Sequence, residues 1–421
     1  MICMRRRRRN TGKIKYIGLS AFIVAVFAVV GFNFSDTVVK ILGIGADVVT
    51  VTKDGVTGEK TSDATLTFTG DIMCHSYQYN EAYDASTGTY DFSHNFTDMK
   101  KYFDEADLVV GNLETVFAGA DVGISDYPCF NSPDAFADAI ADAGFDVLTT
   151  ANNHSMDKRM DGVLRTLDVL DERGMDHIGT YRSAEERENI LIRDVNGIKI
   201  AFLSYTYGTN GIPVPESWLV NPLDEELIKS DIARAKALEP DMIVVLPHMG
   251  NEYEEYVRDT FKNWAHMMLE AGADIVVASH PHVLQPMETV ELADDDGGTR
   301  TGFIMYSMGN FISSQTTPPR NASILLNIDI EKTWQGKTYI KEVSFVPIWT
   351  QFQNANWQNH FVVRSVYEML TLPEDQLSAT VRSKDIPRLR EIHFETTKTL
   401  LGEDIPLEDI RDEYIYYARS A

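Results

Sequence analysis

Asp71, Glu114, Asn153, His248, His280 and His282 are the residues of this chain best suited to chemistry. They belong to five short polar clusters: Gly70-Asp71, Gly111-Asn112-Leu113-Glu114, Asn152-Asn153-His154, Pro247-His248 and Ser279-His280-Pro281-His282. Each cluster closes an apolar, strand-like run. Carboxylates, imidazole nitrogens and amide oxygens suit divalent Zn, Mn, Fe or Mg in different mixtures. Two such ions about 3.5–4 Å apart can clamp the attacking and leaving oxygens of a phosphate ester. A carboxylate is a natural bridge between them, and His and Asn complete the shells. Each residue also has a plainer role: Asp71 can cap a turn, and Asn153 can hold a left-handed one. His177 and His266 stand alone and read as structural.

Side chains this far apart in sequence meet only if the fold brings strand ends together. In a parallel sheet the strand ends lie side by side, and ligands bind at the carboxyl edge. Strands are expected at 64–69, 108–110, 145–150, 198–205, 242–246, 274–278 and 303–308. Helices are expected at 133–143, 161–173, 224–238 and 257–271. Pro133 fits a first helical turn, and Gly174 fits a C-cap. This alternation predicts an α/β fold with a partly parallel sheet. Residues 322–349 alternate as β without helices between, and 350–421 reads as a mostly helical, charged extension. In His280-Pro281-His282, proline disfavours helix before it. An extended reading puts both rings on one face.

The chain has 421 residues and a formal net charge of −25, which argues against a nucleic-acid partner. Five consecutive arginines, Arg5 to Arg9, are followed by Lys13 and Lys15, so the remainder is more acidic still. An uncharged apolar run from Ile17 to Phe32 follows, extended by Tyr16 and Phe34. About 17–20 apolar residues span a bilayer, and basic residues before the span keep the N-terminus inside. A cleaved signal peptide has a shorter apolar region and a small-residue site, which this run lacks. The expected order is a cytoplasmic basic tail (1–15), a single-pass signal-anchor (16–34), a linker (35–63), an extracytoplasmic main domain (64–349) and the extension (350–421). Outside the membrane, Cys74 and Cys129 are open to two readings, a disulfide or two small buried thiols.

The ordered set of motifs resembles the CapA family, the bacterial capsule or poly-γ-glutamate synthesis proteins. The residues that carry it are Gly70-Asp71-Ile72-Met73, Gly111-Asn112-Leu113-Glu114, Tyr127 to Pro133, Ala143 to Val147, Ala151-Asn152-Asn153-His154, His248 to Tyr253, His280 to Val283 with Gln285-Pro286, and Tyr306 to Phe311. That family is similar in fold to the calcineurin-like metallophosphoesterases, which implies a sandwich of mixed sheets flanked by helices. The resemblance implies Asp71 as first ligand and Glu114 near the bridging position, with Asn112 beside it. It makes Asn153 and His154 a ligand and a phosphate-contacting acid, His248 the lone histidine, and His280 and His282 the closing pair. His154 and Asp71 are the catalytic candidates. His75, Asn112, Glu252, Tyr253 and Asn310 are auxiliary or substrate-contacting candidates. Two departures bear on activity. The enzymes' Asp-x-His has Met73 at its third position here, and a thioether is a poor ligand for hard metals. The second cluster is Asn-x-Glu. The site around Asp71, with His75 as a substitute ligand, is therefore the one in question.

Three functions are consistent with these residues. One, implied by the family resemblance together with the expected anchor, is a membrane-anchored component of poly-γ-glutamate or capsule synthesis or export; the resemblance also implies membrane polymer-synthase subunits as partners, since the chain carries no ATP-binding Gly-rich Lys motif. The second is an extracytoplasmic divalent-metal-dependent hydrolase of a phosphoester or an anionic polymer. The third is a metal-free polymer-binding scaffold.

Overall fold

A computed structural model describes residues 61–294 and 297–420, and the backbone of three short strands before them. Those strands, Val39–Leu42, Val48–Thr52 and Gly55–Thr57, form an antiparallel sheet within the stretch expected to be linker. Residues Ser62–Ala421 form a separate compact unit. The expected span at 16–34 lies outside the described residues. Among the described residues no helix is long and apolar enough to cross a membrane.

Two sheets make the main unit. The six-stranded sheet runs, in spatial order, Leu191–Val195, Ile198–Thr206, Met242–His248, Ile275–Val277, Thr299–Met305 and Met287–Ala293. Its central four strands are parallel. The nine-stranded sheet runs Asn359–Ser365, Thr338–Gln353, Ala322–Lys332, Ser62–Ile72, Leu108–Leu113, Val147–Thr149 and Asp176–Ile178. Asn310–Ile312 joins it on Ser62–Ile72, and Tyr414–Ala418 joins it on Thr338–Gln353. From Ser62–Ile72 to Asp176–Ile178 its strands are parallel.

Period-two alternation explains why both faces of each sheet are apolar. Leu66, Phe68, Leu108 and Val110 share one buried cluster with Ile200, Phe202, Val244 and Leu246, so the sheets pack face to face. Val109 and Leu113 point the other way, into a cluster with Phe136 and Ile140 of the helix Asp134–Ala143. Ala201, Leu203, Ile243 and Val245 likewise meet Ile228 and Ile232 of Glu225–Ala237 and Met268 and Leu269 of Asp259–Ala271. The result is helix, sheet, sheet, helix, and the carboxyl ends of the parallel strands carry the polar clusters.

The expected helices at 133–143, 161–173, 224–238 and 257–271 are present within two residues, and Gly174 is left-handed at φ 71°. The extension carries the expected helices and two strands besides. Val366–Thr371, Glu374–Thr380 and Ile386–Leu401 are helical, but Asn359–Ser365 and Tyr414–Ala418 pair with Thr338–Gln353. Tyr414 is buried in the inter-sheet core, so 350–421 completes the sheet. A charge-rich composition hid these strands. Cys74 and Cys129 are both free thiols, Cys74 buried, so the disulfide reading does not hold.

Candidate metal centre

Register brings the clusters together. Asp71 pairs with Asn112, Asn112 with Thr149, and Asn310 with Asp71 from the other side. In the second sheet, Thr206 pairs with His248, and His248 bridges to Ser279. Asp71, Asn112, Glu114, Asn153, His154, His248, His280, His282 and Asn310 are all buried.

Two ligand groups meet at one carboxylate. Glu114, His248 and His280 offer donor atoms within 4.8 Å of one another, and so do Asp71, Glu114 and His282. Glu114 Oε1 lies 3.8 Å from His248 Nε2 and 3.6 Å from His282 Nε2. It is buried with no hydrogen-bond partner among the described residues, and His280 Nδ1 is the same. A buried polar atom without a partner costs about 1–3 kcal/mol, more for a charged group. Asn153 Oδ1 lies 3.0 Å from His248 Nε2, a contact that fits one more donor on the first group. These donors, imidazole with carboxylate and amide oxygen, fit divalent ions, and the orphaned Glu114 Oε1 lies between the His248 and His282 rings.

The neighbouring contacts fix how the rings face. His282 Nδ1 lies 3.0 Å from both Asp71 Oδ2 and Asn310 Oδ1. Both are acceptors, so Nδ1 carries the proton and Nε2 is left with its lone pair toward Glu114 when the ring is neutral. Asn112 Nδ2 donates to Asp71 Oδ1 at 2.8 Å and to Glu114 Oε2 at 3.3 Å, and Thr149 Oγ1 donates to Asn112 Oδ1. Asn112 thus spaces the two carboxylates. His248 Nδ1 lies 2.9 Å from Ser279 Oγ.

His280 and His282 reach the cleft differently from expectation. Both have positive φ, 108° and 58°, so the segment turns through left-handed backbone instead of running extended. Non-glycine residues held there are strained, and such strain clusters at functional sites. The rings still converge, with centroids 5.9 Å apart. Gly250 allows the close approach of this turn, since a Cβ there would sit 2.7 Å from Pro281 Cγ.

The site around Asp71 closes without His75. His75 Nδ1 is engaged by Gln78 Oε1 and the Ser314 amide, both at 3.3 Å, and its ring packs edge-on against Phe130. It sits beside the cleft and belongs to neither ligand group; His282 is the imidazole partner of Asp71. Met73 is buried and accepts a 3.9 Å contact from Gln315 Nε2 at its sulfur. Glu252 is exposed and forms a third donor group with His280 and His282. Tyr253 lies on the rim, 47% exposed, with the Arg320 guanidinium 4.7 Å over its ring.

Sequence reasoning missed three contributors. Asp157 Oδ2 lies 2.8 Å from His154 Nδ1 and accepts from the Phe130 amide, so it orients the ring. The spacing His154-x-x-Asp157 was the available signal. Tyr207 packs on His280 at 4.5 Å and on His248 at 6.2 Å. Arg320 carried no signal, because it follows a proline pair with no motif.

Burial sets the protonation of the groups in and beside the cleft. Desolvation lowers His75 to about 4 and His280 to about 3, and holds His248 well below its ordinary range. Burial first, then the Asp71 charge, pushes Glu114 well above the usual carboxylate range. Unfolded histidines titrate near about 6.5. Above that pH these three are neutral in both states. Below it the unfolded chain binds protons that the folded chain refuses, at about 1.4 kcal/mol per pH unit for each group. Glu114 acts in the opposite sense, since its folded state takes a proton first. Three histidines against one carboxylate leave a net loss, so metal-stripped protein is expected to lose stability steadily from about pH 6.5 toward about pH 4. Denaturant unfolding across that range checks this, and a flat profile would contradict neutral, buried imidazoles.

Comparison with known proteins places the chain. The family model described as bacterial capsule synthesis protein PGA_cap matches residues 65–315, well over half of the sequence. The chain belongs to this family. Capsule biosynthesis protein CapA of Bacillus anthracis is 29% identical over 264 residues, 60% of this chain and 60% of its own length. PGA biosynthesis protein CapA of Bacillus subtilis (strain 168) is 28% identical over 342 residues, 79% of this chain and 81% of its own. The chain therefore spans about 60% of the first relative's length. Among solved structures, the calcineurin-like phosphoesterase YfkN from Bacillus subtilis is similar at 13% identity and TM-score 0.41, covering 79% of this chain and 99% of that one. Haemophilus influenzae NAD nucleotidase is similar at 13% identity and TM-score 0.41, covering 81% and 64%. All ligand-group residues of the cleft fall within the family match.

Proposed function

We propose that this member of the PGA_cap family is a membrane-anchored, extracytoplasmic component of poly-γ-glutamate or capsule assembly, and that its cleft is a divalent-metal hydrolytic centre of metallophosphoesterase type. The observation that carries the catalytic part is Glu114 Oε1, buried, without a hydrogen-bond partner among the described residues and faced by His248 and His282. Glu114, Asn153, His248 and His280 would hold one ion, and Asp71, Glu114 and His282 a second. Such ions supply Lewis-acid polarisation of a phosphoryl or carbonyl oxygen and a nucleophilic water at neutral pH.

The chain's own groups do the rest. Asp157 accepts from His154 Nδ1, so its carboxylate would support the imidazolium form of the ring, whose Nε2–H would be the proton delivered to a departing oxygen. Asn112 keeps Asp71 and Glu114 apart by donating to both. Tyr253 and Arg320 give the rim one aromatic face and one fixed cation, suited to an anionic ester or polymer. The anchor follows from the basic tail and the apolar run at 16–34, and membrane synthase partners follow from the family's role in polymer synthesis.

The test has a biochemical and a cellular arm. Purified full chain reloaded with Mn or Zn is expected to hydrolyse an aryl phosphate or release polymer fragments. Chelation should abolish this, and His248→Ala should lower kcat by at least about 100-fold. In cells, His248→Ala or His280→Ala should reduce surface polymer. Unchanged polymer with both variants, together with no bound metal in wild-type protein, would remove the hydrolytic reading and favour a metal-free scaffold.

A further inference from the structure

A second donor cluster shares no residue with the cleft. Glu81 lies in the helix Ser76–Ala82, His94 in the single turn Ser93–Phe96, and His360 in the strand Asn359–Ser365. Each offers one ligand atom, and the three atoms lie within 4.8 Å of one another. The two carboxylate oxygens divide between the rings: Oε2 is 3.1 Å from His94 Nε2, and Oε1 is 3.7 Å from His360 Nδ1. The imidazoles stack 4.8 Å apart and 8° from parallel. Side-chain exposures of 15% for Glu81, 28% for His94 and 32% for His360 leave a path for an ion and room for water to complete its shell. Among the described residues, the other partly exposed histidines His266 and His177 do not reach three donors. His266 pairs with Glu288, and His177 meets Asp171 beside a guanidinium.

We infer that Glu81, His94 and His360 form a second, peripheral site for a borderline transition-metal ion, with Zn²⁺ the best match. Two imidazole nitrogens and one carboxylate with an open position are a zinc donor set, whereas Ca²⁺ and Mg²⁺ take oxygen shells. With bonds of about 2.0–2.1 Å, tetrahedral donors stand about 3.4 Å apart. The 3.1 and 3.7 Å separations, each to a different Glu81 oxygen, are of that size, so a small shift of the carboxylate sets one oxygen against both rings. Ring lone pairs lie in the ring planes, and near-parallel planes do not meet at a point. Loading therefore tilts the rings out of their stack.

The site lies where a structural clip would act. The segment from Ser76 to Met99 carries only a short helix, a two-residue hairpin pair and a single turn. Its attachment to the edge strand includes the Asn95 carboxamide donating to the Phe361 carbonyl. Asn95 Oδ1 beside it is buried and unpartnered among the described residues. An ion held by Glu81, His94 and His360 joins this segment to that strand. Because it binds only the folded arrangement, it adds stability that grows with free metal.

Glu114→Gln weakens the main cleft, so the full chain carrying it is the background for the test. The probe is Zn²⁺ alone, measured by equilibrium dialysis at free concentrations on the order of micromolar. Adding His94→Ala and His360→Ala should lower bound zinc by one ion per chain and remove a zinc-dependent rise in the thermal midpoint. Equal zinc content in the two proteins overturns the site. Wild-type protein supplies a reading that does not depend on the alanine variants folding. Zinc should shift the imidazole NMR signals of His94 and His360, assigned with His94→Gln and His360→Gln. Signals that stay in place at saturating zinc overturn the site as well.

Discussion

Replacing Glu114 with Gln is expected to empty both halves of the cleft at once. Glu114 is fully buried and is the one residue common to the Asp71–His282 and His248–His280 groups. Gln keeps the shape and removes the charge that two cations would share. Loss of a partner that merely orients a ligand costs about 10–100-fold in metal affinity, so loss of the shared carboxylate should exceed about 100-fold for both ions. Metal analysis after desalting should find about two more ions per chain in wild type than in the variant.

The metal-free comparison separates a binding role from a structural one. Without metal, Glu114 is a carboxyl group whose Oε1 has no partner among the described residues, and burial already drives it toward its neutral form. Gln carries no ionisation cost. The stripped variant should therefore be as stable as stripped wild type or more stable, by up to about 2 kcal/mol. With metal the order reverses, because only wild type gains the binding free energy of the cleft. Denaturant unfolding with and without chelator reads both signs. A variant that is less stable in both states and still retains its metal would make Glu114 a packing residue and sink the two-ion reading.

The sequence showed which strand ends carry donors because those runs are apolar on both faces and stop at Gly-Asp, Gly-Asn or Asn-Asn-His. Their convergence follows from parallel registry, which a pattern of apolar runs can imply. How the donors are grouped was not legible. His282 rather than His75 completes the Asp71 group, since two positive φ values turn His280 and His282 into the cleft. Side-chain alternation carries no sign of such a turn. Asp157 was missed because its role depends on the three-residue turn after His154, and Arg320 because it reaches the rim from outside every motif. The closing strand Tyr414–Ala418 was not singled out in the mostly helical stretch, because charged neighbours mask a short strand whose burial comes from the tertiary fold.

Gly70→Ala is expected to be the most damaging single-methyl change near the site. Gly70 precedes Asp71 where the strand Ser62–Ile72 meets the segment leading into Asn310–Ile312. A Cβ at Gly70 would stand 2.0 Å from the Gly309 carbonyl oxygen, 2.9 Å from its carbon and 3.2 Å from the Phe311 nitrogen. All three are backbone atoms, so no side-chain rotation relieves the clash. The same carbonyl accepts from the Asp71 amide at 3.0 Å, and Asn310 is the strand partner of Asp71. Moving the segments apart breaks that hydrogen bond. It also separates Asp71 and Asn310, whose oxygens together hold His282 Nδ1. Overpacking typically costs about 1–3 kcal/mol where side chains can adjust; with backbone on the opposing side the cost should reach about 3 kcal/mol or more. Gly174→Ala is the control. It has a left-handed φ of 71° and nothing within 4 Å of the added carbon, so it should cost only about 1–2 kcal/mol. Any folded Gly70→Ala protein should lose the ion held by Asp71 and His282 before the one held by His248 and His280. Urea unfolding that places Gly70→Ala within about 1 kcal/mol of wild type, or loss of the His248 ion first, would refute this account of how the cleft is held.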